Sequence, residues 1–183
     1  MLEKNIRERI IELIHQQVVP AVGCTEPMAV ALCTARATEL LGQRPEHISV
    51  LLSANILKNA MGVGIPGTGM IGLPIAIALG ALVGKSEYQL EVIKDLTPVT
   101  LEAGKTFISE NRIDVKLKDG ITEKLYIEIT CEAEGHRATA IIMGTHTNIV
   151  FEEEDGTVLL DKMQPSTAAV EKAPLCLNLN TVW

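Results

Sequence analysis

The sequence predicts an α+β fold in which a helical subdomain is followed by an antiparallel β-meander subdomain. Apolar residues recur every three or four positions near the N-terminus, whereas from Ile113 onward they alternate with polar residues. Between these regions, Asn59 to Gly84 carries no charged side chain and combines a loop rich in Gly and Pro with an apolar helix. We expect a helical domain with the Gly-rich loop over residues 1–84, an α+β subdomain over 85–163 and an irregular tail over 164–183.

The first half of the chain shows helical spacing that ends at identifiable residues. An amphipathic helix is predicted from Leu2 to Val18 and is ended by Pro20. After the connector PAVGCTEP, Thr25 is the expected N-cap of a second helix that stops at Gly42. The β-branched run from His47 to Leu57 predicts a strand or extended segment that leads into the glycine loop.

The second half begins with helices and continues as strands. A buried helix is predicted from about Met70 to Val83, followed by two short helices at Glu87–Leu96 and Val99–Asn111, the second of which is expected to start at Thr97 or Pro98. Turn signals at Asp-Gly and Gly-His pairs then separate alternating runs. The strands are expected at residues 113–118, 123–133, 136–144, 147–153 and 157–161.

Composition and charge argue against several classes of protein. A net charge of −7 without a basic cluster, and 3% aromatic residues, provide little for binding nucleic acid. Four cysteines without a CxxC pair, and no recognisable signal peptide, favour a reduced cytoplasmic protein. Lys58 and Lys85 flank the uncharged stretch, but its continuous helical part is too short to cross a membrane. We therefore expect no membrane partner.

The glycine loop has two interpretations. Gly62, Gly64, Gly67 and Gly69 surround Pro66 and precede a helix, an arrangement that offers backbone amides to a carboxylate or phosphate. The same glycines could instead permit tight packing around a buried helix. The spacing also matches G-x-G-x-x-G, yet no second parallel strand follows promptly, which argues against a dinucleotide site.

Cys24 is the cysteine whose position suggests chemistry. A thiol at a helix N-terminus is expected to have a lowered pKa, because the helix dipole and nearby amides stabilise the thiolate. The alternative is that Cys24 is a small buried apolar residue, which is the interpretation given to Cys33 and Cys131. Further along, His146, Thr147 and Asn148 either contribute to a site or form a hairpin turn.

Three motifs together resemble a known family. PAVGCTEPMAVA, NAMGVGIPGTG and GHRATAIIMGTHTNIV occur in an order similar to that of the iron–sulfur L-cysteine desulfidase family, itself similar to the alpha chain of bacterial L-serine dehydratases. The resemblance covers about Leu2 to Val150. It implies a cytosolic lyase that uses a [4Fe-4S] cluster to eliminate sulfide or water from an amino acid, releasing pyruvate and ammonia. It also implies that the β-rich subdomain is inserted into the helical one.

The resemblance implies roles for individual residues. Cys24 matches a cluster cysteine, whereas the family's other cluster cysteines lie in a C-terminal helical half that this chain does not contain. The helical subdomain is therefore expected to be incomplete, little turnover is expected from the chain alone, and self-association is expected to cover the exposed apolar surface. Glu26 and His146 are candidates for removing the α-proton. Substrate-binding candidates are Thr25, Asn59, Gly64, Gly67, Thr68 and Asn148.

A function of another class remains open. The domain could bind a small amino acid through its carboxylate without catalysis, as a binding or regulatory module that uses the glycine loop.

Overall fold

The structure, a computed structural model, describes residues 4–163, without the side chains of residues 16 and 17, and confirms the α+β fold. The helices are α1 (Lys4–Gln17), α2 (Thr25–Leu41), α3 (Ala54–Ala60), α4 (Leu73–Leu82), α5 (Pro98–Ser109) and a 3-10 helix at Ser86–Glu91. The strands are β1 (His47–Leu52), β2 (Gly64–Ile65), β3 (Met70–Ile71), β4 (Ile113–Leu117), β5 (Tyr126–Ala133), β6 (His136–Met143), β7 (Ile149–Glu154) and β8 (Thr157–Asp161).

The main sheet has the strand order β4-β1-β5-β6-β7-β8. The run from β5 to β8 is the antiparallel meander that the turn signals predict. However, β1 lies between β4 and β5, and it pairs parallel with β4 and antiparallel with β5. Every second residue of β1 is buried, so one face of the strand points toward the core. Burial of that face fixes the register in which β1 pairs with its neighbours. Residues before and after the glycine loop therefore share one sheet.

Helix α2 forms the centre of the core. Met28 to Cys33 are all essentially inaccessible to solvent, and the helix packs against β5 and β6 as well as against α4. The crossing with α4 is close: a Cβ atom added to Gly80 would stand 2.5 Å from the carbonyl oxygen of Ala31. The alanines of α2 and the glycine of α4 thus allow two helix backbones to approach each other.

Several predicted boundaries are wrong by a few residues, each for a local reason. Helix α2 begins at Thr25, which puts Cys24 rather than Thr25 at the N-cap, and ends as predicted at Gly42, where φ is +71°. The strand predicted over 47–57 stops at Leu52. Ser53 then takes the N-cap position of α3, where its hydroxyl donates to the carbonyl of Lys124 at 2.8 Å.

The uncharged stretch also differs in detail from its prediction. Residues 64–71 form a two-stranded hairpin, so the buried helix begins at Leu73 rather than Met70, with Pro74 in its first turn. The helix expected over 87–96 is a 3-10 turn, because Gln89 has a φ of +51° and interrupts helical geometry. Helix α5 starts where predicted, with Thr97 as its N-cap in a reciprocal capping box with Thr100.

The remaining expectations concern the ends of the chain. Helix α1 is amphipathic, and Leu13 and Ile14 on it are about half exposed. The predicted tail at 164–183 lies outside the described residues, and the predicted boundary between the helical domain and the α+β subdomain at residue 84 stays a prediction.

Within residues 4–163, no helix has the length and apolarity needed to span a bilayer.

We predict that Gly80→Ala destabilises the fold although alanine is the better helix former. The new Cβ would lie 2.5 Å from the Ala31 carbonyl oxygen. Because this overlap outweighs the gain in helix propensity, the free energy of unfolding should fall by about 1–2 kcal/mol. Urea denaturation measures the change. Gly62→Ala is the control, because a Cβ there meets open space, and equal stabilities of the two variants would contradict the close crossing.

Candidate functional site

The connector before α2 touches the hairpin formed by β2 and β3. Gly23 has a φ of +89°, and a Cβ added to it would stand 2.7 Å from Cγ of Pro66. On the other side of the connector, the amide of Val22 donates to the carbonyl of Leu90 at 3.0 Å. Only glycine combines this backbone conformation with so close an approach. The start of α2 is therefore held against the glycine loop.

Cys24, Thr25 and Glu26 form a polar group at this point. The Cys24 thiol donates to Oε2 of Glu26 at 3.0 Å, and the Thr25 hydroxyl donates to the same oxygen at 3.2 Å. All three side chains are partly buried. One carboxylate oxygen thus accepts two hydrogen bonds from its neighbours at the N-terminus of a long buried helix.

Glu26 is held as a carboxylate. The hydrogen bond from the Cys24 thiol is the main cause that lowers its pKa below the ordinary value, and the Thr25 hydroxyl and the charge of His146 act in the same direction, against the effect of burial. Because the folded-state pKa is lowered, ionised Glu26 stabilises the fold above its ordinary pKa. That contribution is lost as pH falls through the lowered value. The side chain is therefore ionised near neutral pH.

The expectation that Cys24 has a lowered pKa is wrong. Burial is the largest cause that raises its pKa, and the Glu26 carboxylate adds to it, because a thiolate beside a carboxylate is unfavourable. The backbone amides of Glu26 and Thr25 do lower the pKa, as the helix N-terminus predicts, but they are outweighed. Burial also raises the pKa of Cys131, to about 12, and that of Cys33 further.

Two of the predicted substrate-binding residues, Gly67 and Thr68, lie in the hairpin between β2 and β3. Gly67 has a φ of +77°, and a Cβ there would contact Leu96 at 3.2 Å. The buried Thr68 hydroxyl donates to the carbonyl of Ile65 at 2.7 Å and accepts from the amide of Met70 at 2.9 Å. Thr68 therefore closes the hairpin turn. Asn59 is exposed near the end of α3.

The predicted residues after β6 form a turn, with one link to the site. Asn148 donates from Nδ2 to the carbonyl of Met143 at 2.9 Å, and its own carbonyl accepts from the Met143 amide. This is the hairpin turn that the sequence left as one alternative. His146 is half-buried, and its charge contributes to the lowered pKa of Glu26. The two candidate bases, Glu26 and His146, therefore interact electrostatically.

A cleft of about 440 Å³ lies beside the hairpin, lined by Val22, Pro66, Gly67, Lys94 and Thr97 together with apolar side chains. Sequence reasoning missed Gly23, Lys94 and Thr97. The glycine before Cys24 was a signal in the sequence, because it marks a backbone that another segment approaches closely. No comparable signal identifies Lys94, which reaches the cleft only through the folding of residues 86–97.

The described residues do not fit a complete iron–sulfur cluster. Cys33 is buried with its sulfur 3.2 Å from the carbonyl of Ala140, and Cys131 is buried against the Thr38 hydroxyl at 3.6 Å. Cys176 lies outside the described residues. Within residues 4–163, no three His, Cys, Asp or Glu side chains are grouped so that they could hold a metal. Cys24 can supply one thiolate at most.

Comparison with known proteins identifies close relatives of greater length. The chain is 63% identical over 182 residues to a UPF0597 protein of Bacteroides fragilis, and 62% identical over 183 residues to one of Bacteroides thetaiotaomicron. A UPF0597 protein of Porphyromonas gingivalis is 50% identical over 172 residues. The whole chain aligns with the two Bacteroides proteins but spans only 42% of their length, and the third alignment covers 94% of the chain and 40% of the relative.

No family model and no solved structure matches the chain. The relatives carry the name UPF0597 and not that of an iron–sulfur desulfidase. The expected membership of the iron–sulfur L-cysteine desulfidase family is therefore wrong. The motifs that suggested it are explained in part by the fold, since GCTEP forms the start of α2 and NAMGVGIPGTG forms the end of α3 and most of the hairpin.

We predict that Glu26→Gln makes the Cys24 thiol more reactive. Glutamine can still accept the hydrogen bond but removes the negative charge that raises the thiol pKa. The pKa of Cys24 should fall, and the rate of its alkylation by iodoacetamide at pH 7.5 should rise by roughly threefold to tenfold. Peptide mapping at limiting reagent across a pH series measures both quantities.

The control for this measurement is Glu123→Gln, which removes an equal charge from the exposed loop between β4 and β5. That variant should leave the rate unchanged, and the buried Cys33 and Cys131 should label slowly in every protein. A Cys24 rate in Glu26→Gln equal to or below that of the unmodified chain would show that the carboxylate does not control the thiol.

Proposed function

We propose that the start of α2 and the glycine hairpin form one wall of a site for a small amino acid, on which the longer protein acts as a lyase. The observation that supports this most directly is the Glu26 carboxylate, whose Oε2 accepts hydrogen bonds from the Cys24 thiol and the Thr25 hydroxyl and whose pKa is lowered. An ionised carboxylate can accept a proton, and the lowered pKa makes Glu26 a weaker base than a carboxylate tuned toward neutral pH. L-Serine and L-cysteine are the substrates we consider, with pyruvate and ammonia as products and with sulfide as a further product from cysteine, water being consumed in that case.

The hairpin supplies the features that suit the carboxylate of such a substrate. Its glycines at positive φ present backbone without side chains, and the exposed Gly64 and Gly69 leave open space where a Cβ would be. Lys94 also lines the adjoining cleft, and its ammonium group lies 3.5 Å from the centre of the Tyr88 ring. Backbone amides and a cation both favour a bound anion.

The proposed roles follow from this arrangement. Glu26 is the favoured base for the α-proton, and His146 is the other candidate. Thr25 fixes the orientation of Glu26. Gly64 and Gly67 would allow the carboxylate to approach the backbone, whereas Thr68 and Asn148 act by shaping turns. Asn59 stays a candidate contact. A [4Fe-4S] cluster with Cys24 as one ligand also stays a prediction, and none of these roles depends on it.

A second candidate function is binding of an amino-acid carboxylate without catalysis, as a regulatory module. The observation that favours it is the raised pKa of Cys24, which keeps the thiol protonated and unreactive near neutral pH. The two functions are separated by assaying a protein extended to the length of the Bacteroides relatives. Pyruvate release that is lost in Glu26→Gln, with binding retained, supports the lyase. Binding without pyruvate supports the module.

The partners we propose are the amino acid and further copies of the chain. Self-association is supported by apolar side chains in and just after α1, where Ile11, Leu13, Ile14 and Val18 are between 42% and 68% exposed. Nucleic acid is not among the partners we propose, since the net charge is −7.

We predict that L-serine and L-cysteine bind at the hairpin with a dissociation constant on the order of millimolar, because a few hydrogen bonds in an open site must offset lost translational freedom. NMR titration should shift the amides of residues 62–72. Gly67→Ala should abolish the shifts, because its methyl group would stand at the edge of the cleft, 3.2 Å from Leu96.

Gly69→Ala is the matched control for this titration. Gly69 also has a positive φ, so alanine strains both positions, yet a Cβ at Gly69 meets nothing within 4 Å. The two variants should therefore be destabilised similarly while only Gly67→Ala loses binding. If the hairpin amides do not move in the unmodified chain while others do, the glycines serve packing and the proposed site is wrong.

A further inference from the structure

The cleft of about 440 Å³ beside the hairpin is built where separate segments of the chain meet. Val22 comes from the connector before α2, Pro66 and Gly67 come from the hairpin, and the rest of the wall comes from residues within 93–101. Val22 lies two residues before Cys24 in the chain. The cleft therefore adjoins the start of α2 as well as the glycine hairpin, which are the two parts of the proposed site.

The walls of this cleft are mostly apolar. Its apolar lining residues are Val22, Pro66, Ile93, Leu96, Pro98 and Leu101. Gly67, Lys94 and Thr97 complete the lining, and no Asp or Glu is among the residues that line it. Water between such walls finds few hydrogen-bond partners, so an apolar group that displaces this water is favoured.

Two other clefts in the described part of the chain have charged walls. The charged residues that line a cleft of about 390 Å³ beside the start of α3 are Lys118, Asp119, Glu123 and Lys124. Those that line a cleft of about 370 Å³ at the turn between β5 and β6 include Glu46, Glu132, Glu134 and Arg137. Charged walls of this kind keep their water. The apolar lining thus distinguishes the cleft at the hairpin from these two.

The wall formed by the segment before α5 is held in place without a ligand. Ile93 is only 1% exposed and anchors this segment in the core. The amide of Lys85 donates to the carbonyl of Val92 at 3.3 Å, and Nζ of Lys85 donates to Oδ2 of Asp95 at 2.9 Å. These contacts close the segment on itself. A wall that is already formed does not have to be ordered when a ligand binds, which favours binding.

Gly67 lies where the hairpin meets the cleft, because it belongs to the turn between β2 and β3 and also lines the cleft. A Cβ added there would stand 3.2 Å from Cδ2 of Leu96, another residue of the cleft wall. Glycine thus leaves open the passage from the hairpin backbone to the cleft. A carboxylate held at the hairpin brings the α-carbon that carries it, and the side chain on that carbon, close to this opening.

We infer that the cleft takes an apolar group carried on the β-carbon of the amino acid that binds at the hairpin, so that the preferred ligands are S-alkyl-L-cysteines. The side chains of L-serine and L-cysteine are too short to fill a cleft of about 440 Å³ and leave most of it to water. The inference rests on the proposed function, because that function supplies the contact with the carboxylate. It adds the chemical class of the side chain.

The experiment is an NMR titration of the chain with L-cysteine, S-propyl-L-cysteine and S-(2-hydroxyethyl)-L-cysteine. The last two ligands have substituents of nearly equal size, and only the propyl group ends in an apolar carbon. Complete burial of one methylene strengthens binding about fourfold, so S-propyl-L-cysteine should bind roughly tenfold more tightly than either of the other ligands. It should shift the amides of residues 93–101 in addition to those of residues 62–72.

Leu101→Gln tests the cleft wall, because it places an amide of similar size among the apolar side chains. The ratio of the affinities for S-propyl-L-cysteine and L-cysteine should fall about tenfold. Val99→Gln is the matched control, since Val99 lies in the same helix, is 79% exposed and does not line the cleft, and it should preserve the ratio. If circular dichroism shows that Leu101→Gln is unfolded, the nearly isosteric Val22→Thr replaces it, with a smaller expected fall.

The outcomes separate this inference from the proposed function. If all three ligands shift the hairpin amides with equal affinity, the cleft does not select the side chain, and the inference is wrong while the carboxylate site stands. If S-propyl-L-cysteine shifts residues 93–101 and leaves residues 62–72 unmoved, the cleft binds apolar groups independently of the hairpin, which also overturns the inference. If no ligand shifts the hairpin amides, the proposed function fails and the inference fails with it.

Discussion

Close packing of α2 against both the main sheet and α4 is the constraint on which the rest of the structure depends. The Ala31 carbonyl lies so near Gly80 that no side chain fits between the two helices. On its opposite side, α2 covers β5 and β6, where the Cys33 sulfur meets the carbonyl of Ala140. A helix held from two sides has a fixed N-terminus, so the positions of Cys24 and Glu26 follow from packing many residues away.

The chemistry of the site follows from competition between three effects at that N-terminus. Backbone amides favour negative charge, burial opposes it, and two groups that can both ionise lie in contact. The outcome is one negative charge on Glu26 and a protonated thiol on Cys24. The helix N-terminus thus supports a base more than a nucleophile, because the carboxylate is the stronger acid and takes the charge first. Gly23 links this group to the hairpin by its contact with Pro66.

The sequence predicted most elements but not how they assemble. Local signals placed the start of α5 at Thr97, the end of α2 at Gly42 and the meander from β5 to β8, because caps and turns depend on near neighbours. The insertion of β1 between β4 and β5 could not be predicted, since strand order depends on contacts between distant residues. For the site, the polar group at residues 24–26 was found, but the raised pKa of Cys24 depends on the burial that the fold imposes.

The central claim is that Cys24 and the hairpin belong to one site for a small amino acid. It is tested most directly by measuring the rate of Cys24 alkylation as L-serine is added, with L-lactate and glycerol as comparison ligands. The account predicts that L-serine and L-lactate slow alkylation of Cys24 over a millimolar range, whereas glycerol, which has no carboxylate, does not. An alkylation rate that is unchanged by L-serine at concentrations that shift the hairpin amides would contradict the claim, because ligand at the hairpin would then leave the thiol untouched.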